Sequence, residues 1–521
     1  MKREPPLTAS CAAVLIMLTG CATQPAVRGV EALSMMQSPS RLSAHDIALI
    51  NRLSWGVSPA LAKTASEQGM KVFIQHQLHP SLDDGLPAEI AGQIAALTIS
   101  TEPNGQLVED VSSQRRQVNM ITDPQQKQAA QRALQDRLNQ LAREASTRAL
   151  LRDVYSAHQL KELTAWFWLN HFNVYLPKSD IRLLVGDYEE NAIRPHALGR
   201  FRDLLSATLH HPAMLRYLDN DQNVDKRINE NYARELMELH TLGVNGGYSQ
   251  KDVQELARIL TGLGVNETAN KPKLRPALEV QYVRDGAFEF NPNRHDYGTK
   301  VFLGHEIKGH GMAEIDEALD ILARHPSTAR FISRKLAMFF VSDDPPPLLV
   351  ERMAETFRKS DGDIAAVLDT AFVSPEFDDS LGVKFKDPMH YVISAVRLSY
   401  GDKPILNPQP MRNWLNRMAE PLYGHETPDG YPLGEAAWAG PGAMATRFEI
   451  ARGIGSGSAG LFKPDGPDAM ERPAFPNIAG PLYFDHIGPT LAAATSATLD
   501  QAVSPQDWNT LFLSSPDFMH W

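Results

Sequence analysis

The sequence predicts a mainly α fold, a multi-helical globular body with one small β-hairpin element near residues 280–303. Three observations lead there. Residues 123–157 are rich in Ala, Gln, Leu, Arg and Glu, with no glycine and no proline after Pro124, which is the propensity of a long helix. Between residues 43 and 400 apolar side chains recur mostly at helical spacing. Only VQYVRDGAFEF (280–290) alternates in the manner of strands, around the hairpin pair Asp285-Gly286.

The chain opens MKREPPLTASCAAVLIMLTGCATQPAV. Basic Lys2 and Arg3, an apolar stretch from Leu7 to Leu18 and small residues before Cys21 have the layout of a secretory signal. The apolar run is too short to span a bilayer, which needs ~20 residues. Leu18-Thr19-Gly20-Cys21 resembles the lipobox of bacterial lipoproteins. The resemblance implies a signal peptide over 1–20, diacylglycerol and acyl chains on Cys21, and a polar tether to residue 42. Ala22, rather than Asp, implies delivery to the outer membrane of a Gram-negative envelope. Several acyl chains would make the anchor stable, since each buried CH₂ contributes ~0.8 kcal/mol. An ordinary signal peptide cut elsewhere is the competing reading.

Composition narrows the rest. The two cysteines are Cys11, in the segment expected to be removed, and Cys21, expected to be lipidated. A body without thiols has no disulfide, thiolate nucleophile or Cys-based metal site. Apolar content of 43% and charged content of 22% suit a globular protein, and a net charge of −11 speaks against nucleic acid as a partner. No later apolar run is long enough to cross a membrane.

Element by element, Ser43 starts a helix with Ile47, Leu49, Ile50 and Leu53 on its apolar side, stopped by Gly56. A second is expected over 59–78. After the long helix follow 159–172, 193–209, 229–242, 250–263, 313–324, 327–341, 346–359, 363–373 and 386–400. The pairs His211-Pro212, His325-Pro326, Ser374-Pro375 and Ser515-Pro516 mark helix ends, because proline disfavours αR at the preceding residue. The two histidines there could meet terminal carbonyls. Lys300 to Leu303 is expected to add a strand to the hairpin. Proline and glycine crowd the last quarter, so 402–521 should be rich in loops.

Several long segments now carry a resemblance: RLSWGVSP (52–59), FWLNHF (167–172), NAIRPHALGRFRDLLSATLHHPAMLRYLDN (191–220), NENYARELMELHTLGVNGGYSQKDVQELARILTG (229–262), NRHDYGTKVFLG (293–304), HPSTARFISRKLAMFFVSDDPP (325–346) and TPDGYP (427–432). Together they resemble the family known as domain of unknown function 1800, over about residues 42–521. The resemblance implies an envelope or secreted bacterial protein with an exported partner, and no established reaction.

Four constellations could carry chemistry. On the helix 229–242, Glu230, Arg234 and Glu238 stand at i, i+4 spacing, with Asn231 and Glu235 beside them. Three carboxylates around one guanidinium are either an internally paired face or a site for a hard cation or acid–base work. Arg234 is expected to hold its glutamates ionised. His171, at the end of the aromatic helix TAWFWLNHF, is either a metal ligand or proton shuttle, or a core histidine donating to a backbone carbonyl. His295 and Asp296 follow the hairpin, in a loop that either turns both toward a cleft, with Lys300 adding a cation, or is a turn bonded by Asp296. In LGVNGGYSQKDV a calcium loop competes with a glycine turn followed by Ser249 as N-cap, and Val244, Gly247 and Tyr248 break the calcium pattern. HExxH, GxSxG and GxxxxGK[ST] are absent.

The leading expectation is an envelope enzyme performing metal-assisted hydrolysis. His171 and His295 would hold a divalent metal, Glu235, Glu238 or Asp296 would be ligand or base, and Arg234 and Lys300 would bind substrate. The alternative is a non-catalytic, lipid-tethered binding or assembly module working with an exported protein.

Overall fold

A computed structural model describes residues 41–268, 270–464, 470 and 474–521. Cys21, the segment expected to be a signal peptide and nearly all of the expected tether lie outside the described residues. The described body is mainly α, and its strands form only two small antiparallel sheets.

Ser43 caps the first helix, Ala44–Arg52, with its side chain accepting from Asp46 N while Asp46 accepts in return from Ser43 N. This reciprocal pair satisfies two otherwise orphaned donors. The span expected as one helix over 59–78 is two, Pro59–Gln68 and Met70–Leu78, because Gly69 sits at φ +80° between them. The long helix runs Pro124–Tyr155, close to expectation. Five further helices, 312–324, 326–340, 347–359, 364–372 and 388–400, also fall within two residues of their expected bounds. The section from 402 onward holds more helix than its composition suggests, including Gln409–Arg417, Pro441–Gly455 and Pro505–Leu513.

The residue–proline pairs both end one helix and begin the next. Proline fits the first helical position, where its missing N–H is no loss. His211 Nδ1 accepts from Ala213 N at 3.1 Å and His325 Nδ1 accepts from Ser327 N at 3.1 Å. These histidines therefore cap N-termini, not the terminal carbonyls expected of them.

The hairpin forms from β2 (Val283–Asp285) and β3 (Phe288–Phe290), and its outer partner is β1 (Leu263–Val265) in the order β1-β3-β2. The strand expected at Lys300–Leu303 does not join it. β4 (Val301–Phe302) pairs with β5 (His305–Glu306) across a tight turn. A short hairpin of its own satisfies that backbone locally.

Beneath these elements lies one apolar core, with Trp55, Phe167, Trp168, Phe201, Phe290 and Leu336 buried in it. Arg52, wholly buried, threads through it and donates to the carbonyls of Phe340 (2.8 Å) and Ser380 (2.6 Å) and to the Trp521 backbone oxygen. Its pKa is pushed down to about 9 by burial. No described helix is long and apolar enough to cross a membrane.

Candidate functional site

The aromatic helix Gln159–His171 ends in Asn170-His171-Phe172-Asn173, and these residues face two ways. The asparagines hold the loop 425–432. Asn170 Nδ2 donates to Tyr431 O at 3.0 Å and its Oδ1 accepts from Tyr431 N at 2.6 Å. Asn173 Nδ2 donates to the carbonyls of His425 (3.0 Å) and Thr427 (2.8 Å). Between them Gly430 takes φ +75°, and a Cβ there would stand 2.1 Å from Asn170 O. Only glycine permits that approach, which accounts for the TPDGYP text.

His171 turns into the core. Its Nε2 donates to His240 O at 3.0 Å, and Phe172 and Phe331 pack around the ring. Burial first, then the charge of Lys335, pushes its pKa well down, so the ring is neutral. This is the core histidine donating to a backbone carbonyl, and its partner is part of the site. His240 lies on Leu236–Thr241, a π-helical turn that continues the short helix Asn231–Glu235. Such wider turns often sit at functional positions. The pKa of His240 is pushed down to about 3 by burial and then by Lys335, and neither of its ring nitrogens has a hydrogen-bond partner among the described residues.

The same stretch carries the glutamates. Arg234 pairs with Glu230 at 3.1 Å and Glu238 at 3.6 Å and donates to Gln250 at 3.0 Å. Glu235 departs from expectation. Its carboxyl is pushed up, by burial first and next by the charge of Glu238, against the opposing pull of Arg234. Arg234 is engaged elsewhere, so desolvation wins at Glu235. Tyr248 is pushed up to about 12 by burial and then by Glu238. Asp429, on the clipped loop, adds its charge to both Glu235 and Lys335.

Lys335 was not singled out from the sequence. It lies on the helix Pro326–Phe340, half-buried, with its ammonium 5.7 Å from the Phe331 ring centroid. Among the described residues it has no ion pair or hydrogen bond. Burial pushes its pKa down to about 8, with Asp429 opposing. In RFISRKLAMFF it reads as one more solvated cation, and only the packing of distant segments reveals its setting.

The other predicted residues form a separate network. His295 is buried, its Nδ1 2.7 Å from Thr261 O and its Nε2 3.4 Å from Glu314. Glu314 also takes Lys300 Nζ at 2.5 Å, and Lys300 donates to Asp296 O. Asp296 is held in the fork of Arg258 at 2.8 and 3.2 Å and accepts from Gly298 N at 2.7 Å. Burial opposes the downward shift of Asp296, and the Arg258 bonds and Gly298 N–H outweigh it. So the turn reading holds for Asp296, and Lys300 is an internal cation with no free charge for a substrate. The hydrogen-bond and ring partners of His171 and His295 are disjoint. The five-residue constellation does not assemble, and no three His, Cys, Asp or Glu groups among the described residues are placed to hold a metal. The calcium alternative also yields, since Ser249 caps Gln250–Ile259 in a reciprocal bond with Asp252, after Gly247 at φ +84°.

Residues 48–520 match the family described as "Protein of unknown function (DUF1800)". No curated protein and no solved structure matches the chain.

Proposed function

The chain belongs to the family described as protein of unknown function, DUF1800, and from that premise we propose that it is a lipid-anchored envelope protein whose acid–base face hydrolyses a polar, anion-bearing polymer. The observation that carries the reading is the pair of unlike carboxyls, Glu235 and Glu238, beside the loop whose Asp429 bears on both Glu235 and Lys335, a lysine with no ion pair among the described residues. Glu235, pushed up by burial, is suited to keep a proton for a leaving oxygen. Glu238, paired with Arg234 at 3.6 Å, is suited to accept a proton from the attacking water. Lys335, cationic below about pH 8, would hold an anionic group of the substrate. The Tyr248 phenol keeps its proton at neutral pH and can donate to the same substrate. Asn170 and Asn173 position the loop that brings Asp429 against this face.

A metal-assisted version is not supported by the ligand geometry, because His171 donates into the backbone and His295 is bound up with Glu314. The address rests on the N-terminal text alone. Labelled palmitate should enter the intact chain and not Cys21→Ser.

Purified peptidoglycan sacculi, a carboxylate-bearing envelope polymer, are the first probe. Full-length protein should release new soluble ends from them, with Glu235→Gln lowering the rate at least ~10²-fold, the usual scale of a lost general acid. Release unaffected by Glu235→Gln and Glu238→Gln would sink the assignment. Protein that sediments with sacculi and releases nothing would favour the non-catalytic binding module.

A further inference from the structure

A second site lies elsewhere in the fold and shares no residue with the acid–base face. A cavity of about 620 Å³ opens between the first helix and the segments around 381–398 and 487–521. This is the size of pockets that enclose small organic ligands, ~300–1,000 Å³. Ile47, Leu398, Ile487 and Phe512 give it apolar walls. Lys386 also lines it and is only 5% exposed.

The carboxylates of the rim are already engaged. His45 pairs with Asp378 at 3.3 Å, and Asp517 accepts from Ala492 N at 2.9 Å and from the Thr495 hydroxyl. Lys386 is different. Its Nζ stands 3.8 Å from the Phe518 ring centroid, and it has no carboxylate or hydrogen-bond acceptor among the described residues. The charge that bears on it is of the same sign: Arg447, whose guanidinium donates to the Lys386 carbonyl at 2.6 Å. Burial, then Arg447, pushes the Lys386 amine down to about 7. A cation without a counter-ion on an apolar wall carries a large desolvation cost, which an incoming anion relieves.

We propose that this cavity binds an amphiphilic monocarboxylate, its alkyl chain against Ile47, Leu398 and Phe512 and its carboxylate on Lys386 Nζ. A diffuse polar ligand would leave the apolar walls unused. A neutral alkane would leave the lysine as it is.

Calorimetric titration of the full chain with dodecanoate, below its micellar concentration, tests the site, with dodecanol and acetate as comparison probes. Dodecanoate should bind at least 10-fold more tightly than dodecanol, and acetate more weakly than either. Lys386→Met should lower dodecanoate affinity at least 10-fold while sparing dodecanol, and Lys386→Arg should retain the preference. Ala48→Phe, which fills the cavity from the first helix and leaves the lysine intact, should weaken both alkyl ligands and keeps the test decisive if Lys386→Met does not fold. Equal affinity for dodecanoate and dodecanol, no binding of dodecanoate, or binding indifferent to Ala48→Phe would overturn the proposal.

Discussion

Two regions of this molecule combine a lysine with carboxylates, and they treat the charges in opposite ways. In the network of His295, Lys300 and Glu314 each charged group is buried and finds its partner within the cluster. Around Glu235 and Lys335 the groups are half-buried, the carboxyl is pushed up and the ammonium, though Asp429 bears on it, has no ion pair among the described residues. The difference separates architecture from readiness. A closed network stabilises a particular packing and has nothing left to offer a substrate. An incomplete one keeps its interactions in reserve, which is what binding and proton transfer require.

The sharpest way to break the contrast is Glu314→Ala. It strands Lys300, at 2% exposure, with no counter-ion. The expected loss is about 3–5 kcal/mol, the usual cost of breaking a buried pair, read as a fall in the thermal midpoint. Burial opposes the downward pull on the Glu314 carboxyl, and the bonds from His295 and Lys300 prevail. Its contribution is therefore complete above its ordinary value of 4.5 and lost as pH falls below it. Wild type should lose stability in that acid range more steeply than Glu314→Gln, and parallel curves would contradict the closed network.

Next is Gly430→Ala, where the added carbon meets Asn170 O at 2.1 Å. A displaced loop and a loss of about 1–3 kcal/mol are expected. Hydrogen exchange at 425–432 should rise, and unchanged exchange would show that the clip tolerates a side chain.

Lys335→Met should act in the other direction on stability. Wild type carries a penalty for the protonated amine below about pH 8, relieved as pH rises from there toward the ordinary 10.5. The methionine variant should match or exceed wild-type stability at neutral pH, lack this alkaline gain and lose affinity for sacculi. Wild-type affinity should itself decline above about pH 8. A marked destabilisation at pH 7 would place Lys335 with the closed network.

The smallest effect belongs to Arg234→Ala. Its pairs with Glu230 and Glu238 are partly exposed and one turn apart, each worth about 0.2–0.5 kcal/mol. Chemical denaturation should register less than ~1 kcal/mol.

Local information made much of the fold legible. Ser43 and Ser249 announce their helices by capping chemistry, and Asp285-Gly286 announces its hairpin. The break at Gly69 was missed because apolar spacing continues across it. Of the candidate site, Arg234, Glu235 and Glu238 could be seen because one stretch of chain carries them. Lys335 and Asp429 could not, since their significance arises from segments brought together only by folding. His295 and Asp296 misled for the same reason: Arg258 and Glu314, which occupy Asp296 and His295, lie far off in sequence.

The bonds from Asn170 to Tyr431 join residues 261 positions apart. Contacts of such long range form slowly, because closing so large a loop costs entropy before any interaction is gained. The glutamates and the π-helical turn can come together from the middle of the chain alone. Their loop must await the arrival of the C-terminal quarter, so competence at this face should trail the appearance of helical structure during refolding.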